Sequence, residues 1–74
     1  MRPGDVIYAV CNLTYFWRYR DDGLTFRSFD VDVRAGTAAL VIATSDDVML
    51  VVCQEQGGAP VIGWKRSSFF EGPR

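Results

Sequence analysis

Apolar and polar positions alternate with a period of two along most of this chain, which is the signature of half-buried strands. Two stretches depart from the alternation. Residues 38–43 and 48–53 are near-continuous apolar runs joined by Thr44-Ser45-Asp46-Asp47, a pattern that suits central strands on either side of a tight turn. The expectation is a hairpin of residues 37–44 and 48–54 across 45–47, at the centre of a sheet. Ahead of it, residues 5–11 follow Pro3-Gly4 and read as a first strand. Val6, Tyr8 and Val10 lie on one of its faces and Ile7, Ala9 and Cys11 on the other.

A second hairpin is predicted for residues 13–20 and 24–33, because Asp21-Asp22-Gly23 separates two alternating runs and an Asp-Gly pair readily supplies the positive φ of a tight turn. Counting outward from Asp22-Gly23 pairs Arg20 with Thr25, Tyr19 with Phe26, Arg18 with Arg27, Trp17 with Ser28 and Phe16 with Phe29. The parity of the second strand then changes, from Leu24 and Phe26 to Phe29, Val31 and Val33. A bulge near Arg27-Ser28 accommodates that change, with a one-residue slip in the pairing beyond it. Arg34-Ala35-Gly36 forms the next turn, residues 55–60 form a loop and residues 61–66 a short strand. Ser67-Ser68-Phe69-Phe70 reads as a single helical turn. The expected fold is all-β: one domain spanning residues 1–74, a small barrel of about five to six antiparallel strands with a protruding hairpin and a short 3-10 turn near the C-terminus.

The order of these features resembles SH3 and bacterial SH3-like domains. The matching features are Leu24-Thr25-Phe26 in an irregular hairpin, Gly36-Thr37 before a strand, the central hairpin, Ile62-Gly63-Trp64, and Ser67-Ser68-Phe69-Phe70 as an aromatic-bearing turn. Together they cover roughly two thirds of the chain with short motifs, so the resemblance implies fold more than function. It also suggests, by analogy, a small stand-alone phage protein. A peptide-binding member of the family would carry an aromatic groove for proline-rich ligands. Here Val48-Met49 stands where that groove has an exposed Trp, and Lys65-Arg66 where it has a Pro, which argues against proline-rich recognition.

Eight basic and nine acidic residues, no His and a pI near 5.1 argue against duplex nucleic acid as a partner, since phosphate binding calls for a basic face. The N-terminal stretch has no apolar h-region, and the longest apolar run is far below the ~18 residues that span a bilayer; the reading is a cytoplasmic protein with no membrane contact. Cys11 and Cys53 are too widely spaced for a zinc or redox motif and are expected as reduced, buried thiols, with a disulfide as the other reading. Asp30-Val31-Asp32 sets two carboxylates about 7 Å apart without further oxygen ligands at fixed spacing, so no metal and no cofactor are expected. A His-free chain of this size offers no nucleophile and base at a supporting spacing, and the expectation is a protein that is not an enzyme.

The remaining functional signal is aromatic. Tyr15, Phe16, Trp17 and Tyr19 crowd one strand and cannot all enter one core. With Phe16 facing inward beside Phe29, an outward stripe of Tyr15, Trp17 and Tyr19 follows, of the kind that anchors interfaces. The expected function is therefore a non-catalytic binding module. It docks a protein partner, or its own copy in a homo-oligomer, through Tyr15, Trp17 and Tyr19 with Trp64, Phe69 and Phe70. The alternative is single-stranded nucleic-acid binding by ring stacking with Arg18, Arg20 and Arg27 on the phosphates.

Overall fold

The computed structural model describes residues 1–19 and 28–72 and is all-β. Seven strands, β1 (Val6–Ala9), β2 (Leu13–Trp17), β3 (Ser28–Val33), β4 (Ala38–Ser45), β5 (Val48–Gln54), β6 (Pro60–Arg66) and β7 (Phe70–Glu71), form one antiparallel sheet in the order β3-β2-β6-β5-β4-β1-β7. A 3-10 turn, Ser67–Phe69, links β6 to β7. The sheet curls into a half-barrel whose concave face holds the core. The count exceeds the expected five to six because the chain leaves the 3-10 turn as two further paired residues, Tyr8 facing Glu71 and Ala9 facing Phe70.

The central hairpin forms as its apolar runs suggest. Ser45 pairs with Val48 across the two-residue turn Asp46-Asp47, where Asp46 takes a φ of 53°, a left-handed conformation that Asp tolerates better than most residues. β5 lies between β4 and β6, in the middle of the sheet. Its alternate residues Met49, Val51 and Cys53 enter the core, joined there by Ile7, Ala9, Leu13, Phe16, Val31, Val33, Ala39, Val41 and Phe70. Each fully buried large side chain in this set, such as Ile7 or Phe16, contributes about 1.5–3 kcal/mol of transfer free energy.

β2 and β3 keep the register obtained by counting from the turn: Trp17 opposite Ser28 and Phe16 opposite Phe29, the two phenyl rings meeting edge-on at 6.3 Å. The irregularity lies further along than expected. Between Leu13 and Tyr15 the pairing jumps from Val33 to Asp30, so the slip of one residue falls at the Leu13–Tyr15 end of β2 and leaves Thr14 and Tyr15 both outside the core. The described part of β3 holds a single parity, with Val31 and Val33 buried. The tip of the predicted hairpin, the Asp22-Gly23 turn and the site near Arg27 lie outside the described residues. Asn12, the first residue of a glycosylation-type triplet, accepts a hydrogen bond from the Ala35 backbone through Oδ1 at 2.9 Å and so steadies the Arg34–Gly36 turn. Gly36, at φ 87°, supplies the left-handed backbone that this turn needs.

Candidate functional site

The candidate site grows from the point where β2 leaves β6. Among the described residues these strands share one register pair, Trp17 with Trp64. Beyond it, the Lys65 side chain bridges the gap by donating through Nζ to the Tyr15 carbonyl at 3.0 Å. Lys65 follows the inward alternation of Val61 and Gly63, so its stem enters the barrel and the residue is 2% exposed. Its ammonium lies 3.4 Å from the centre of the Tyr15 ring and 4.4 Å from that of Phe69, which the 3-10 turn brings over the barrel end. The π-faces partly replace the lost water. Burial still lowers the Lys65 pKa, while the neighbouring Cys11 opposes that shift.

Around this cap the expected aromatic surface separates into two groups. Tyr15, 38% exposed, and Tyr19, 55% exposed, face solvent, and Trp64 and Phe69 are half-buried. Trp17 is 8% exposed and therefore does not extend the outward stripe. It lies opposite Trp64, 6.2 Å from the Tyr15 ring, with the Arg66 guanidinium 5.6 Å from its own. Phe70 also departs from the expected surface. Its β-bridge to Ala9 turns the ring into the core.

Of the three arginines proposed to meet an anion, Arg18 stacks over Phe29 at 4.9 Å, and Arg20 and Arg27 lie outside the described residues. Arg66, which the sequence did not single out, carries an ion pair to Asp47 at 2.8 Å. Asp32 pairs with Arg34 at 3.0 Å, and no cluster of three or more metal-ligating side chains exists among the described residues.

The two cysteines are free, and only Cys53 is buried. Burial, with Glu55 adding to it, pushes the Cys53 thiol up to about 11. Cys11 is exposed, contrary to expectation, because β1 ends at Ala9 and Cys11 falls in the connection to β2. No helix among the described residues is long and apolar enough to cross a membrane.

A separate cavity of about 390 Å³ opens at the far end of the central hairpin, between Met1, Thr44, Asp46, Met49, Ser67 and Ser68. Its lining offers one carboxylate and three hydroxyls, with no base among them. Comparison with protein-family models, with curated proteins and with solved structures finds no match to this chain.

Proposed function

We propose that this chain is a non-catalytic binding module that docks a protein partner through the aromatic corner formed by Tyr15, Tyr19, Trp64 and Phe69. One observation carries the reading: Tyr15 is exposed and at the same time held in place, its carbonyl accepting from Lys65 and its ring lying over the same ammonium. A ring fixed before binding loses little conformational freedom on docking, and Tyr gives a large amphipathic contact at low entropic cost. Trp17 and Phe70 support the corner from beneath rather than touching the partner.

Single-stranded nucleic acid is the second reading, favoured by the cations set against rings, Arg18 on Phe29 and Arg66 on Trp17. The net charge of −1 and the engagement of Arg66 with Asp47 weigh against it.

The test is affinity capture with immobilised wild-type protein and with a Tyr15→Ala/Tyr19→Ala variant that melts at the same temperature, repeated over a salt series. A partner retained by wild type at high salt and lost with the variant supports protein docking. Oligonucleotide binding that vanishes steeply as salt rises would replace it with the second reading.

A further inference from the structure

We infer that the convex outer face of the sheet is the contact surface for a second copy of this chain. Register carries the argument. Val6 pairs with Leu40, Leu40 with Val52, and Val52 with Ile62, so four aliphatic side chains stand in one row across β1, β4, β5 and β6. They point away from the core, since their strand neighbours Ile7, Ala39, Val41, Val51 and Gly63 are buried. Three of the four are more than two-fifths exposed: Val6 43%, Leu40 42% and Ile62 53%. Ile42 adds a further 43% exposed side chain beside the row, where the β4–β5 register shifts between Val41 and Ala43 and leaves it without an opposite partner. Leu50, opposite Trp64, extends the patch along β5 and β6.

Scattered exposed aliphatics are ordinary on a small protein; a contiguous row spanning four strands is not. The four most exposed side chains alone leave on the order of 300 Å² of apolar area in water, the size at which the largest patch of a monomer is often functional.

Charge and size select the occupant. The outward positions 38, 40, 42, 50, 52, 54, 60, 62 and 64 carry no charged residue, so the face offers no ionic group to choose a foreign partner and matches a copy of itself equally well. A net charge of −1 gives two copies almost nothing to repel. The molecule measures 33 × 25 × 17 Å, so its broadest cross-section is roughly the ~800 Å² that each partner gives to a standard interface. Stacking two such sheets face to face would double the layers of a chain that has little core of its own. This surface is distinct from the Tyr15–Tyr19 corner, so each can fail without the other.

Sedimentation equilibrium from micromolar to millimolar protein tests the inference on wild type, Leu40→Glu and Ile62→Glu, with thermal melts to establish that each variant is folded. The expected result is a wild-type dimer whose Kd rises at least about tenfold in each variant. Should a Glu variant fail to fold, Leu40→Thr and Ile62→Thr keep strand propensity and ask the same question. A wild-type monomer throughout the range overturns the inference, as does a dimer that all folded variants leave unchanged. Loss of capture by Tyr15→Ala/Tyr19→Ala with the dimer intact would leave this inference standing and confirm that the two surfaces are separate.

Discussion

Lys65 and Tyr15 are locked together twice: the ammonium sits 3.4 Å from the centre of the Tyr15 ring and donates at 3.0 Å to the carbonyl of the same residue. The contact occupies the place where β2 and β6 part, and it closes the barrel end with a charge instead of a further strand pair. A buried charge satisfied in this way specifies a geometry more than it adds net stability.

Replacing Lys65 separates the stem from the charge. Lys65→Ala removes a buried stem and opens a cavity, and should cost about 2–4 kcal/mol in urea unfolding. Lys65→Met keeps the stem and sheds the desolvated charge, so its cost should stay within about 1.5 kcal/mol. Equal losses in the two variants would show that the ammonium, not the stem, holds the cap.

Gly63 has no room for a side chain. A Cβ built there would lie 2.6 Å from Cβ of Phe16, an atom fixed to the backbone, so the strands themselves must move apart. Gly63→Ala should therefore destabilise by about 1–3 kcal/mol, read as a lower denaturation midpoint at unchanged m-value.

The rings divide by burial. Trp17→Ala should cost about 3–5 kcal/mol, because it empties a buried site, whereas Tyr19→Ala should fall within about 0.5 kcal/mol of wild type. Unfolding curves for the two variants check this directly. Association lost in Trp17→Ala would report damage to the fold and not a missing contact.

Alkaline pH acts on two buried groups in opposite directions. Cys53 has its thiol raised from 9.0 to about 11, so the unfolded chain releases that proton first; its contribution is whole below pH 9 and is lost as pH climbs to about 11. The full loss is on the order of 2–3 kcal/mol. Lys65, lowered by burial, is charged at a cost when folded below its own pKa, so its part of the stability rises with pH up to the unfolded value. Cys53→Ala should flatten the fall between pH 9 and 11, and Lys65→Met should steepen it. Urea midpoints measured across that window give both slopes.

Much of the fold is legible in the chain because it depends on local chemistry. The apolar runs on either side of Asp46-Asp47 give the central hairpin, and counting from Asp22-Gly23 places Phe16 opposite Phe29. The candidate site is legible only in part. Tyr15 and Tyr19 are exposed as the alternation implies, but Trp17 is buried by the single crossing of β2 onto β6, a contact between residues 47 positions apart that no local pattern encodes. Lys65 carried a signal that was available: Val61, Gly63 and Lys65 share one parity, and a lysine continuing an inward row is a lysine with a buried stem. Cys11 is exposed because the first strand ends two residues short of it, the kind of boundary that local pattern fixes least well.

The most direct measurement of the account's central claim, that Tyr15 and Tyr19 form the surface while Trp17 belongs to the core, is hydroxyl-radical footprinting of the native protein with mass-spectrometric readout of each ring. The account predicts rapid labelling at Tyr19 and Tyr15, slower labelling at Trp64, and protection of Trp17 until the chain is unfolded. Trp17 labelled as fast as Tyr19, or Tyr15 protected in the isolated protein, would contradict it.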